Sequence, residues 1–130
     1  MAKAVVGLMK QHHWGRIVNL TSNSIVLAVP GVTHYLASKM GVIGFTRGLA
    51  TDLAEFGITV NAVGPTLTAS QAWDARGLPT VVVDATIAKQ AIKRRGETAD
   101  VVGIIAFLSS DDAAFITGQT IMADGGLARL

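Results

Sequence analysis

Apolar residues recur along the chain at two spacings, and the alternation between these spacings predicts the order of the elements. Helical spacing predicts helices over residues 2–12, 35–56, 83–95 and 98–108. Short β-rich runs predict strands over residues 16–20, 58–63 and 119–123. Alternating helices and strands are typical of an α/β fold with a parallel sheet. The pattern therefore predicts one domain over residues 1–130, with about three parallel strands, right-handed crossovers and successive helices on opposite faces.

Residues between these elements carry signals of their own. Gly57 stands where a helix commonly ends in a left-handed residue. Thr98 is the predicted N-cap of the last helix, and the basic run 93–95 is predicted to lie in the last turn of the preceding helix. Residues 66–79 show no period, and a loop of that length inside a domain is usually functional or mobile.

Composition narrows the class of protein. Half of the 130 residues are hydrophobic and 15% are charged, which excludes an intrinsically disordered chain. There is no cysteine, which excludes disulfides and thiolate metal sites. A net charge of +2 does not indicate a nucleic-acid partner. No apolar run approaches the ~20 residues of a membrane span, and no signal peptide is recognised. We therefore expect a cytoplasmic protein with no membrane partner.

Candidate chemistry begins with Ser22, Tyr35 and Lys39. Tyr35 and Lys39 are four residues apart on a predicted helix, so their side chains share a face. A lysine ammonium favours the phenolate form of a neighbouring tyrosine, which suits the phenol to proton transfer with an alcohol or carbonyl oxygen. Ser22 follows a predicted strand, at the edge of the sheet where ligands bind in open α/β folds. Taken alone, the spacing favours a chance helix-surface pair over a catalytic one.

Other candidates have less support. His12 and His13 are adjacent and point apart on a helix, so no metal site is predicted. His34 could act as a base for Ser22, but no Gly-x-Ser-x-Gly elbow surrounds that serine. Trp73, in the predicted loop, is either a lid residue or a core anchor.

Three segments together resemble the short-chain dehydrogenase/reductase family: GRIVNLTS, YLASKMGVIGFTRGLATDLAEFGITVNAVGP and FITGQTIMADGG. The family's tyrosine–x–x–x–lysine motif falls on Tyr35 and Lys39, and its catalytic serine falls on Ser22. The resemblance implies hydride transfer between NAD or NADP and a small alcohol or carbonyl substrate. It implies that Tyr35 is the general acid/base, that Lys39 tunes it and binds the nicotinamide ribose, and that Ser22 positions the substrate oxygen.

Further family motifs extend the resemblance to about residue 126. The asparagine of the strand–Asn–x–x–x–Pro motif falls on Asn61, Pro65 follows it, and the family's Asp-Gly-Gly falls on residues 124–126. By resemblance, Pro65, Thr68 and Ser70 join Lys39 in binding the cofactor. Thr66 stands where the family usually has glycine, and a β-branched residue resists positive φ.

The resemblance covers the C-terminal half of the family's doubly wound, Rossmann-like fold. No glycine-rich turn follows a predicted strand here, although such a turn holds the cofactor pyrophosphate in the family. Gly41, Gly44 and Gly48 lie within a predicted helix, where they indicate a smooth stripe for close helix packing. We therefore expect a partial Rossmann-like fold without the N-terminal dinucleotide-binding half, and weak or no cofactor binding by this chain alone.

Three function classes stay open from the sequence. The first is an oxidoreductase whose cofactor site is unusual or is completed by another chain. The second is a cofactor-free hydrolase or lyase that uses Ser22, Tyr35 and Lys39. The third is a non-catalytic, oligomerising remnant of an enzyme. In each case we expect a homo-oligomer, because the strand at 16–20 would present an unpaired edge and the helices at 2–12 and 35–56 carry wide apolar stripes.

Overall fold

The structure, a computed structural model, describes residues 2–75, 77 and 79–129. Met1, and Arg76 and Leu78 of the predicted loop, lie outside the described residues. The helices are α1 (Ala2–His12), α2 (Ser24–Leu27), α3 (Thr33–Leu53), α4 (Gln71–Asp74), α5 (Thr80–Lys89) and α6 (Thr98–Leu108). Single 3₁₀ turns follow α3 at Ala54–Phe56 and α6 at Asp111–Ala113. The strands are β1 (Gly15–Leu20), β2 (Ile58–Pro65), β3 (Thr68–Ala69), β4 (Gly96–Glu97) and β5 (Thr120–Ala123).

The main sheet has three parallel strands in the order β1–β2–β5, which confirms the predicted fold class. β2 is the central strand, and seven of its eight residues are buried. It continues two residues further than predicted, because Gly64 and Pro65 still pair with β5. A strand flanked on both sides and covered on both faces is expected to be apolar throughout, and β2 is largely so.

Two hydrophobic clusters lie on opposite faces of this sheet. On one face, Ala50 and Leu53 of α3 pack with Ile58 and Val60 of β2, and Val6 of α1 joins them. On the other face, Leu108 of α6 packs with Val63 of β2 and Ala113. The prediction of helices on both faces is therefore confirmed. The prediction that successive helices alternate is wrong, since α1 and α3 share one cluster.

The observed ends of α3, α5 and α6 agree only in part with the ends predicted from the sequence. Gly57 has φ +67° after α3 and its 3₁₀ turn, as predicted. The N-cap of α6 is Glu97 rather than Thr98, and the Asp100 carboxylate accepts a hydrogen bond from the Glu97 backbone amide to form a capping box. α5 ends at Lys89 instead of running to residue 95. Lys93 nevertheless reaches back, donating from Nζ to the Ala88 carbonyl at 2.7 Å, as the dipole argument favours.

The segment predicted as a loop over residues 66–79 contains a short strand and a short helix. β3 pairs in parallel with β4 in a separate two-stranded sheet. Ser70 caps α4, its hydroxyl accepting from the Trp73 amide at 3.4 Å, and Trp73 is half-buried. Two-residue strands and a four-residue helix are too short to give a readable period.

The glycines of α3 do not pack within the chain. Gly41, Gly44 and Gly48 are exposed, and a Cβ added at any of them would meet no atom within 4 Å. The predicted close packing is therefore wrong for contacts inside this chain. Across the described residues, no helix combines the length and apolar character that a bilayer crossing requires.

Candidate active site

The residues after β1 continue along β2 before the chain turns into α2. The Thr21 amide donates to the Val63 carbonyl at 2.8 Å, and the Asn23 amide donates to the Pro65 carbonyl at 3.1 Å. Thr21, Ser22 and Asn23 are buried, although they lie beyond the end of the strand. Ser22 is therefore held at the carboxyl end of the sheet, where ligands bind in open α/β folds.

Lys39 joins α3 to the end of β1 by two hydrogen bonds. Its ammonium donates to the Leu20 carbonyl at 2.9 Å, and its own carbonyl accepts from the Thr21 hydroxyl at 3.0 Å. The same ammonium lies 5.7 Å from the centroid of the Tyr35 ring, within cation–π range. The structure thus brings Lys39 together with both Tyr35 and the strand end that precedes Ser22.

Tyr35 lies in the first turn of α3 and is 39% exposed. In the described part of the chain, no hydrogen bond engages its hydroxyl. A phenol that is open to an incoming molecule, with an ammonium beside its ring, can exchange a proton with a bound oxygen. This is the arrangement that the four-residue spacing predicted.

Ser22 has a neighbour that the sequence reasoning did not single out. Its hydroxyl lies 2.8 Å from the Ser24 hydroxyl, and the Ser24 amide donates to Ser22 Oγ at 3.3 Å. His34, by contrast, is exposed, and among the described residues no hydrogen bond joins it to Ser22. The available signal for Ser24 was its position two residues after Ser22, where a serine can contact its neighbours locally.

Asn61 is held inside the sheet rather than at the site. Its amide nitrogen donates to the Ile116 carbonyl at 2.8 Å, and its amide oxygen accepts from the Gln119 amide at 3.0 Å. The residue is completely buried. It therefore fixes the chain that leads into β5 beside β2.

Three residues expected to bind a cofactor, Pro65, Thr68 and Ser70, lie at the carboxyl end of β2 or just after it. Thr68 folds back on Thr66, with its amide 2.7 Å and its hydroxyl 3.1 Å from the Thr66 carbonyl. Positive φ among the described non-glycine residues is confined to His13 and Ala28, so Thr66 occupies this loop without the strain expected of it. The hydroxyl of Ser70 serves as the cap of α4, and Pro65 ends β2.

A cavity of about 270 Å³ opens beside this loop. Thr66 and Thr68 line one side, and the turn at 124–126 lines another. Ser22, Tyr35, Lys39, Pro65 and Ser70 do not line it. The structure therefore separates Thr68 from the three predicted catalytic residues, and joins it to the C-terminal turn.

The rim of the same cavity carries one ion pair. Arg94 makes two hydrogen bonds to Asp100, at 2.6 and 2.7 Å. Hydrogen bonding to Arg94, followed by that from the Glu97 amide, holds the pKa of Asp100 well below its usual range. The pKa of Arg94 is raised by the same pair.

The C-terminal turn is built around the buried carboxylate of Asp124. Oδ1 accepts from the amides of Gly126 and Leu127 at 3.1 and 3.2 Å, and Oδ2 accepts from the Ala128 amide at 2.7 Å. Oδ2 also accepts from Asn23 Nδ2 at 3.3 Å. Asp124 thereby ties the turn to the residue that follows Ser22.

Known proteins match nearly the whole chain. A family model described as enoyl-(acyl carrier protein) reductase matches residues 1–128. Nodulation protein G of Rhizobium sp. (strain N33) is 42% identical over 123 residues, covering 95% of this chain and 49% of that protein. The chain spans about half the length of the curated relatives it matches.

Solved structures match the fold as a whole. A 3-oxoacyl-[acyl-carrier protein] reductase from Brucella melitensis with bound NAD is 32% identical, with a TM-score of 0.87 over 99% of this chain and 47% of that one. A gluconate 5-dehydrogenase from Burkholderia cenocepacia, in complex with NADP and tartrate, is 31% identical, with a TM-score of 0.90 over 97% of this chain and 49% of that one.

Proposed function

This chain belongs to the short-chain dehydrogenase/reductase family, and on that premise we propose that it carries the catalytic residues for NAD- or NADP-dependent interconversion of an alcohol and a ketone. The observation that supports the proposal most directly is the position of Lys39. One ammonium is hydrogen-bonded to the end of β1 and lies within cation–π range of the Tyr35 ring, which supports its proposed role beside a tyrosine acid.

The roles follow from the chemistry of each side chain. In reduction, Tyr35 donates its phenolic proton to the carbonyl oxygen, and in oxidation the phenolate takes the proton from the alcohol. The Lys39 ammonium stabilises the negative charge on the phenolate. The Ser22 hydroxyl binds the same substrate oxygen, from the end of β1.

The nicotinamide cofactor, when bound, supplies or accepts the hydride at the carbon of that oxygen. Of the residues that the resemblance assigns to the cofactor, Lys39 lies beside the Tyr35 ring, whereas Thr68 lines a cavity that neither Tyr35 nor Lys39 lines. Cofactor binding by Pro65, Thr68 and Ser70 remains a prediction, as does contact of Lys39 with the nicotinamide ribose. The glycine-rich turn for a pyrophosphate is not found in these 130 residues, so we propose that other residues complete that part of the site.

The relatives' names suggest the substrate class to test first. Because several relatives are 3-oxoacyl-[acyl-carrier-protein] reductases, we propose a 3-oxoacyl thioester or a similar small ketone. We propose in addition that the protein forms a homo-oligomer and is cytoplasmic.

The proposal is tested by comparing wild type with Tyr35→Phe. The substitution keeps the ring and its contact with Lys39 and removes the proton. We expect the chain to oxidise NADPH or NADH with acetoacetyl-coenzyme A, at high cofactor concentration, and expect Tyr35→Phe to lose at least ~100-fold in kcat, the usual scale of one acid/base group.

Matched measurements separate the alternatives. Val102→Ala, an exposed change on α6, should retain the activity. Equal turnover in wild type and Tyr35→Phe would place catalysis elsewhere. No turnover by wild type at saturating cofactor would favour a non-catalytic oligomerising chain. Ester cleavage without nicotinamide that Ser22→Ala abolishes would favour a hydrolase.

A further inference from the structure

The Ser22 hydroxyl is engaged twice by the same neighbour. Ser24 Oγ lies 2.8 Å from Ser22 Oγ, and the Ser24 amide lies 3.3 Å from it. An amide N–H can only donate, so Ser22 Oγ is the acceptor in the second contact. In the first contact either hydroxyl can donate.

The spacing between the two serines is set by the residue between them. Asn23 is 5% exposed and is held at two points, by its amide on the Pro65 carbonyl and by its side chain on Asp124. Its carbonyl accepts from the Val26 amide at 3.0 Å at the start of α2. Because both the sheet and the C-terminal turn fix Asn23, the two hydroxyls are placed to meet in the folded chain.

A serine hydroxyl has one proton to donate and two lone pairs that accept. If Ser22 donated to Ser24, it would have no proton left for a substrate carbonyl. If Ser24 donates, the Ser24 amide and hydroxyl together occupy both lone pairs of Ser22, and only the Ser22 proton remains for a ligand.

We propose that Ser24 is a positioning residue that holds the Ser22 hydroxyl in one rotamer, with its proton free for the substrate oxygen. The inference rests on the proposed function for its catalytic consequence. A donor already aimed at the oxygen stabilises the negative charge that develops there in the transition state, without reorganising first. The ligand atom that Ser22 takes is therefore a hydrogen-bond acceptor.

A purely structural role for Ser24 makes a different prediction. Ser24 is the first residue of α2, a helix of four residues whose N-cap, Asn23, makes no side-chain capping bond. If Ser24 only began this helix, Ser24→Ala would be tolerated or would loosen α2. Ser24→Thr keeps the hydroxyl and separates the two roles.

The first measurement needs no catalytic activity. The Hα–Hβ scalar couplings of Ser22, measured by NMR on the full 130-residue chain, report its χ1 rotamer. We expect one rotamer in wild type, in Ser24→Thr and in the control Ser109→Ala at the end of α6. In Ser24→Ala we expect averaged couplings, with amide exchange in α2 unchanged. Averaged couplings in wild type, or a single rotamer in Ser24→Ala, would overturn the proposal.

The second measurement uses the reduction of acetoacetyl-coenzyme A by the same variants. We expect Ser24→Ala to lower kcat by about tenfold, less than direct removal of a donor costs, with the KM for NADPH unchanged. Ser24→Thr should restore kcat. A change confined to KM, or no change, would contradict the role. If wild type shows no turnover, the proposed function fails, while the couplings still decide whether Ser24 positions Ser22.

Discussion

The carboxylate of Asp124 shows how one buried side chain can organise two distant parts of a fold. It is 3% exposed and accepts hydrogen bonds from three amides of the C-terminal turn and from Asn23, which is 101 residues away in sequence. A buried carboxylate is tolerated when its oxygens are satisfied in this way. The turn also requires glycine, since Gly125 and Gly126 have φ +66° and +77°.

Asp124→Asn is expected to destabilise the chain by about 2 kcal/mol, the scale of losing hydrogen bonds to a charged acceptor. The new amide has one oxygen, and its NH₂ faces groups that themselves donate. Urea unfolding followed by circular dichroism measures the difference. Asp84→Asn, an exposed change on α5, is the control and should leave the midpoint within error. Similar midpoints for both variants would show that the Asp124 bonds contribute little.

Contacts between site residues can be predicted from the sequence where they depend on local spacing. Tyr35 and Lys39 were found from one helical turn, and the structure brings them together. The Ser22–Ser24 contact was not found, because it depends on Asn23 being held by Pro65 and Asp124. Those partners lie in β2 and in the C-terminal turn, and no local period reports them.

At the scale of elements, an ion pair between Arg94 and Asp100 connects the N-terminus of α6 to the preceding loop. Asp100 lies in the first turn of α6, where a carboxylate is favoured by the helix dipole. It pairs with Arg94 and caps the Glu97 amide. These contacts connect α6 to the chain between α5 and β4.

We expect this link to weaken in acid. Arg94 and the Glu97 amide lower the pKa of Asp100 in the folded chain. A carboxyl group whose pKa is lowered in the folded chain contributes its full stabilisation at pH values above the pKa of an unfolded-chain aspartate, about 3.9. The contribution is lost as the pH falls from there towards the folded-state pKa. The difference in urea midpoint between wild type and Asp100→Asn should be present at pH 7 and smaller at pH 3. A difference that is the same at both pH values would contradict the assignment.

Long elements were predictable from sequence and short ones were not. The helices at α1, α3 and α6 and the strands of the main sheet follow readable periods. The short elements α2, α4, β3 and β4 have two to four residues each, and they form because neighbouring chain segments supply their partners. The shared face of α1 and α3 is likewise a property of the sheet, since local spacing reports which side of a helix is apolar but not which face of the sheet it meets.

At the scale of the whole molecule, cofactor affinity depends on how much of the site these residues supply. A nicotinamide cofactor derives much of its binding from a pyrophosphate held at a helix N-terminus after a glycine-rich turn. By resemblance, the cofactor-binding residues of this chain are Lys39, Pro65, Thr68 and Ser70, and they would supply contacts at the nicotinamide end only. We therefore expect calorimetric titration of NADH and NADPH into the 130-residue chain to show weak binding or none. Low-micromolar binding would contradict this expectation.

Exposed apolar residues on α1 and α3 favour self-association of the chain. Leu8 of α1 is 62% exposed and Phe45 of α3 is 52% exposed. Phe45 shares a helical face with Gly41 and Gly48, where an added Cβ would meet no atom within 4 Å. Glycines in a helix interior cost about 1 kcal/mol each relative to alanine, a cost that close approach of a second helix would offset. β1 is also an edge strand, and none of the described strands pairs with its outer edge.

We therefore expect a two-fold dimer, or a tetramer of such dimers, in which α3 approaches its counterpart along the glycine face. Gly44→Gln should dissociate this assembly, because the added side chain fills the contact while meeting nothing in its own chain. Gly103→Gln on α6 is the matched control, since it too is helical, exposed and without a neighbour within 4 Å. Sedimentation velocity at low-micromolar concentration measures both. A folded wild-type monomer would refute the dimer, and an assembly that survives Gly44→Gln would place the interface elsewhere, with the free edge of β1 the next surface to test.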